Sequence, residues 1–209
     1  MKLILDKKHA DRIEFIATDA SSAFANTVRR YGLSRVPVMA IDVVTFYDNS
    51  SAFWDEYISH RLGLLPLVTP ADVPAGAEVI FSLDAEGPKA VHSSDLVSSD
   101  KDIVVAKGTI PIVTLGQNQH IRFERKAIMG TARTHSKYQA GLIAYGVDEK
   151  GIKFMVESFF QMEPAEVILR TCDLVLTDIE KVEAALGKKS EKPKKVSKSK
   201  KEKKEKAAE

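Results

Sequence analysis

The sequence predicts an α+β protein. Three observations carry this. Short stretches of alternating apolar residues recur from residue 3 to residue 156, two short helical patterns interrupt them early, and one long amphipathic helix follows the last.

Leu3 and Leu5 alternate with polar neighbours, residues 6–11 turn, and Ile13, Phe15 and Ala17 return with the same period, so a strand pair opens the chain. Asp19 or Ser21 then offers a helix cap. Phe24, Val28 and Tyr31 share one face of the helix that follows, while Asn26 and Arg30 share another, with Arg29 beside them. Gly32 can supply the left-handed residue that stops it. Pro37 fixes the start of an extended run from Val38 to Phe46. Asn49, Ser50 and Ser51 are candidate caps for a second helix. Asp55 and Glu56 sit early in it, where exposed N–H groups favour negative charge, and Glu56 and His60 stand four apart. Gly63 and Pro66 end it.

Residues 69–76 read as a proline-containing connection. Val79, Phe81 and Leu83 alternate as a strand, and residues 89–93 suit another. Residues 93–102 read as a polar surface loop, and residues 103–106 and 110–115 as short apolar runs. Pro111 argues against a fully paired central strand. Ile121 and Phe123 support a further extended piece, and residues 142–145 and 152–156 flank GVDEKG as a hairpin. Pro164 then opens the long helix, where its missing N–H costs nothing. Ile168, Cys172, Val175, Ile179, Val182 and Leu186 step by fours and threes into one apolar seam, broadened by Val167, Leu174 and Leu176, until Gly187. That seam suits packing on the chain's own sheet and equally suits a partner's helix; spacing alone leaves both open.

The net charge of +2 over 209 residues conceals a division. Residues 188–209 hold eleven lysines and four glutamates, a charge of +7, which leaves about −5 on the other 187 residues. A mildly acidic body weighs against nucleic-acid binding by the fold itself. The lysine-rich tail, almost without apolar residues, is expected to be disordered, either solubilising the chain or adhering weakly to nucleic acid or an acidic surface. The single cysteine, Cys172, excludes a disulfide framework or a cysteine-built cluster within the chain and reads as a small buried hydrophobe. No run approaches a membrane span and the start lacks a secretory signal, so the expectation is a soluble, cytoplasmic protein.

Chemistry is sparse. None of the five histidines has another three or four residues away, and no glycine-rich phosphate loop or nucleophile elbow occurs. His92, Ser93, Ser94 and Asp95 contain the residue types of a nucleophile site, but adjacency gives no triad geometry. The acids at 84, 86, 95, 100 and 102 lack cation-ligand spacing.

FANTVRRYGLSRVPVMAIDVV followed by NSSAFWDEYISHRLGLLPL resembles the D-subunit family of archaeal DNA-directed RNA polymerase, itself similar to the eukaryotic third-largest subunit and the bacterial alpha N-terminal domain. HSSDL at 92–96, GTARTHSKYQAG at 130–141 and ESFFQMEPAEVIL at 157–169 extend the likeness over residues 1–187. The resemblance implies an alpha/D-type dimerisation domain, residues 1–41 and 148–187, interrupted by a mostly β insert domain, 42–147. It implies a non-catalytic assembly subunit that forms a heterodimer with an L-like subunit through Phe24, Val28, Tyr31, Ile168, Cys172, Val175, Ile179 and Val182. The pair is then a platform for the largest and second-largest subunits, which carry the nucleotidyl transfer, with small subunits N and P also attached. Arg29, Arg30, Glu56, His60 and Arg61 are the implied large-subunit docking residues. DNA is met only through the complex. Some relatives add a module holding an iron–sulfur cluster; the short GVDEKG step and the missing cysteines imply that this chain has no cluster and no other cofactor. Tyr138 stands where relatives often have tryptophan. An independent nucleic-acid-binding protein, using Arg29, Arg30 and the basic tail, is the competing reading.

Overall fold

The computed structural model describes residues 1–74 and 76–187; the lysine-rich tail expected at 188–209 lies outside the described residues. The chain divides into two units at Val175–Leu176, within its last helix.

β1 (Lys2–Lys8) and β2 (Arg12–Thr18) form the expected hairpin, with Leu3 opposite Ala17 and Leu5 opposite Phe15. β9 (Gly141–Asp148) and β10 (Gly151–Ser158) form another, and β10 pairs with β2 to give an antiparallel sheet in the order β1-β2-β10-β9. Its ladder runs Asp148 to Gly151, so GVDEKG shrinks to a two-residue turn at 149–150 and its first glycine lies within the strand.

Helix α1 (Ser22–Ser34) is capped by Ser21, whose Oγ accepts the Phe24 N–H at 3.1 Å. The helix passes through Gly32 rather than stopping there; the Arg35 N–H reaches the Tyr31 carbonyl at 2.8 Å and closes it. Gly32 serves packing. A Cβ built on it would lie 2.1 Å from Ile143 Cδ1 on β9 and 3.0 Å from Thr171 Oγ1. The missing side chain is what lets α1 sit flat on the sheet. Val28 of this helix joins Ile13, Ala17, Ile143, Phe154, Val156 and Val167 in one continuous apolar core.

β3 (Val38–Asn49) leads to α2 (Asp55–Gly63). The polar run at 49–51 does not cap α2, whose first turn follows Trp54 with no side-chain cap. Asn49 instead builds the preceding turn: its Nδ2 donates to the Phe53 carbonyl at 3.0 Å and to Asp55 Oδ1 at 2.7 Å. β4 (Glu78–Glu86), β5 (Lys89–His92), β6 (Val97–Ser98), β7 (Pro111–Leu115) and β8 (His120–Gly130) complete this half of the chain. One antiparallel sheet has the order β3-β8-β4-β6, and β5 pairs with β7 beside it, which explains how Pro111 is accommodated. The expected loop at 93–102 is more ordered than its composition suggests, with a single turn of 3-10 helix at Ser93–Asp95 and β6 against β4. Residues 103–106 form no strand, although Ile103 is buried and Val105 bridges to Leu67. A second core gathers Ile58 and Leu62 of α2, Phe81, Leu83, Val91, Leu115, Ile121 and Phe123.

The inward face of β8 reads Ile121, Phe123, Arg125, Ala127, so a guanidinium occupies an apolar position. Arg125 is 2% exposed, its three side-chain nitrogens have no hydrogen-bond partner, and burial pushes its pKa down to about 9. The rings of Phe123 and Phe81, at 4.8 and 5.7 Å, offset part of that desolvation.

Two outcomes follow from this packing. Gly32→Val lowers stability by about 1–3 kcal/mol in urea denaturation, and adding Ile143→Ala recovers part of the loss, because the clash is with that side chain. Arg125→Met raises the thermal midpoint, by about 1–4 kcal/mol in stability, because it removes a buried charge that the two rings compensate only in part while keeping the volume. The lowered Arg125 pKa means that this cost is present below pH 9 and fades as pH rises through that value, so the gain from Arg125→Met shrinks in alkaline buffer.

Candidate partner-docking surfaces

The HSSDL segment is structural. The Asp95 carboxylate accepts the His92 backbone N–H at 2.7 Å and pairs with Lys89 at 2.8 Å; the Lys89 bond and the His92 N–H hold the Asp95 pKa down. Ser93 Oγ donates to the Lys107 carbonyl and accepts the Ile110 N–H, so its hydroxyl is committed to the backbone and not to an imidazole. Among the described residues no group of histidine, cysteine, aspartate or glutamate has the arrangement of a metal site. What the fold does present is exposed apolar and cationic surface.

The α1 residues separate by burial. Val28 is 4% exposed and belongs to the chain's own core, whereas Phe24 is exposed and Tyr31 half-buried. Arg29 and Arg30 also diverge, being about 100° apart on the helix. Arg29 is half-buried and donates to Asn26 Oδ1 at 2.8 Å. Arg30 is exposed and lines a cleft of ≈ 310 Å³ with Thr27, Tyr31, Ser34, Arg35 and Arg133. Arg133 comes from the turn after β8, closed by the Thr134 N–H on the Thr131 carbonyl at 3.0 Å.

On α2, Glu56 and His60 are exposed. Arg61 is half-buried and donates to the Pro111 carbonyl, with its guanidinium 5.9 Å from the Tyr57 ring, so it ties α2 to β7 rather than projecting freely. Phe53, Trp54 and Tyr57 are exposed beside it, Trp54 by 82%.

Helix α3 (Pro164–Ala185) buries Pro164, Val167 and Thr171 in the first core, and Ile168 and Leu174 pack partly against it. Cys172 and Val175 are half-buried, and burial pushes the Cys172 thiol up, away from the reactive thiolate. Leu169, Leu176, Ile179, Val182 and Leu186 are exposed, at 49–72%. On β1, Leu3 and Leu5 stand on the core side of the sheet yet remain exposed.

Residues missed by sequence reasoning are Arg133, Arg125 and Thr69. Arg133 lies within GTARTHSKYQAG, and nothing in the sequence brings it to Arg30. Arg125 was visible in the alternation of β8 only to a reader willing to place a charge inward. Thr69 is buried at a crossing point. Its Oγ1 accepts the Met39 N–H at 3.0 Å, its N–H donates to the Gln161 carbonyl at 2.8 Å, and its carbonyl accepts Arg170 Nη2 at 3.0 Å.

At the far end of β3, His120 bridges two strands, Nδ1 to Asp48 at 2.8 Å and Nε2 to Asp84 at 2.7 Å, with Arg122 Nε 3.8 Å from Asp84. The Asp48 and Asp84 hydrogen bonds raise its pKa above the ordinary 6.5, because only the imidazolium donates at both nitrogens. The bridge therefore stabilises the fold fully below the unfolded pKa and is lost as pH rises through the higher folded value. In thermal unfolding, the difference between the native chain and His120→Gln is largest at pH 6 and declines in buffers progressively more alkaline than the ordinary histidine pKa.

Residues 41–148 match the model of the RNA polymerase Rpb3/RpoA insert domain. The chain is similar to the DNA-directed RNA polymerase subunit Rpo3 of Methanocaldococcus jannaschii, 39% identical over 170 residues, covering 79% of this chain and 87% of the relative. It is 44% identical over 128 residues to Rpo3 of Halobacterium salinarum, covering 61% of this chain and 52% of the relative, and 43% identical over 152 residues to Rpo3 of Pyrococcus horikoshii, covering 69% and 59%. The chain thus spans little more than half the length of the latter two relatives.

Proposed function

Because the chain belongs to the RNA polymerase Rpb3/RpoA family of Rpo3 subunits, we propose that it is a non-catalytic assembly subunit of a DNA-directed RNA polymerase. In this reading it pairs with an L-like subunit, and the heterodimer gathers the second-largest and largest subunits and the small subunits N and P. Residues 1–41 and 148–187 are the dimerisation domain and 42–147 the insert. DNA is met only within the complex, and no cofactor is required. The two-residue turn between β9 and β10 supports a form without the cluster-bearing module.

One observation carries the pairing. Leu169, Leu176, Ile179, Val182 and Leu186 stand exposed along α3, and an apolar series of that length on one helix is the surface a partner's helix covers. Each large aliphatic removed from water contributes about 1.5–3 kcal/mol at most. Phe24, Tyr31, Cys172 and Val175 have surface left to contribute, whereas Val28 and Ile168 act from beneath, holding α1 and α3 in place. Arg30, Glu56 and His60 are the outward-facing docking residues, with Arg29 and Arg61 positioning them. The competing nucleic-acid reading finds little support in a body of charge about −5.

Co-expression with the L-like subunit is expected to give a one-to-one heterodimer by size exclusion with light scattering. Ile179→Asp weakens it at least tenfold, about 1.4 kcal/mol or more, with helical content by circular dichroism unchanged, since that side chain is already exposed. A solitary chain in the presence of the L-like subunit would overturn the reading.

A further inference from the structure

We propose that the cleft lined by Arg30, Arg35 and Arg133 receives an acidic segment of a large polymerase subunit, with Arg30 and Arg133 as its two cationic jaws. This rests on the docking role proposed above for Arg30 and names the chemistry of what docks there. Thr27, Arg30, Tyr31 and Ser34 fall at three- and four-residue steps, so α1 presents them as one wall. Arg133 supplies the opposite wall from the turn after β8. No acidic side chain lines the cleft among the described residues.

The helix end is closed without the side chains of Arg30 and Arg133. The carbonyls of Arg30 and Tyr31 are met by Ser34 Oγ at 2.7 Å and by the Arg35 N–H at 2.8 Å. The Arg35 guanidinium stacks on the Tyr31 ring at 4.4 Å, which holds it against that wall. Neither Arg30 nor Arg133 makes a side-chain hydrogen bond or ion pair with another described residue, and both are exposed. Two planar forks around a cleft of ≈ 310 Å³ match carboxylates carried on one or two side chains, while the Thr27 and Ser34 hydroxyls donate to the Ala23 and Arg30 carbonyls of their own helix. A nucleic-acid strand repeats its charge along its length. It would have to cross a body of charge about −5 to reach this small pocket.

The test uses the full chain with the L-like subunit and both large subunits. Arg133→Glu is expected to weaken recruitment of the large subunits about tenfold or more, as Arg30→Glu does, while pairing with the L-like subunit is unchanged. Arg122→Glu, an exposed arginine of the insert sheet, serves as the control and leaves recruitment intact. A hexaglutamate peptide competes with recruitment where hexaglutamine does not, and the competition disappears in Arg133→Glu, which separates the cleft from the lysine-rich tail. If Arg133→Glu assembles like the native chain while Arg30→Glu fails, the docking role stands and the cleft proposal falls. If both assemble normally, both fall. If a single-stranded oligonucleotide of equal charge competes as well as hexaglutamate, and loses that effect in Arg133→Glu, the site reads phosphate and the proposal is overturned.

Discussion

The pleat of one strand segment decides the architecture. From residue 38 to residue 41, β3 is buried on both sides. Val38 and Ala40 point into the core under α1 and α3, and Met39 and Ile41 point into the core under α2. Period-two alternation thus assigns neighbouring residues to different cores. A slip of one residue would exchange the two sets at once, so the register here is doubly specified. The partner strand repeats the device: Ala127 and Met129 of β8 serve one core, while Ile128 packs against the other.

Polar stitching reinforces that shared beam where the chain crosses between cores. Thr69 engages β3, the loop before α3 and α3 itself through its hydroxyl, N–H and carbonyl. Gln161 adds a bond from Nε2 to the Gln139 carbonyl at 3.1 Å. Thr69, with its hydroxyl, N–H and carbonyl all engaged, favours one arrangement of backbone over near alternatives, while Gln161 Oε1 is left without a partner. The surfaces proposed for partner binding lie on elements that this frame orients, α1 just before β3 and the turn just after β8. Side chains distant in the chain are thereby held around one cleft.

Periodicity made most elements legible, because alternation and helical stripes are local properties. It predicts the opening hairpin, α1, β3, the last hairpin and α3, and leaves both Asp19 and Ser21 open as the cap of α1. A glycine near a helix end is the ordinary signal of a terminator, but the close approach of Ile143 that accounts for Gly32 comes from a distant strand. The Asn49 to Ser51 run has the composition of a cap for the same local reason, yet its side chains close the preceding turn. Among the site residues, helix spacing placed Phe24, Val28 and Tyr31 together, but it did not show that Val28 is taken up by the chain's own core. Tertiary proximity between a helix end and a turn leaves no periodic trace, and an inward arginine contradicts the pattern by which inwardness is recognised.

The last hairpin has a consequence for how the architecture can grow. β9 and β10 stay paired to Asp148 and Gly151, and only two solvent-facing residues close the loop. Extra sequence spliced at that tip would lengthen a closure whose entropy grows slowly with length, and it would break no rung of the ladder. Length added at this tip would therefore fall outside the paired ladder, where the hairpin tolerates it most cheaply.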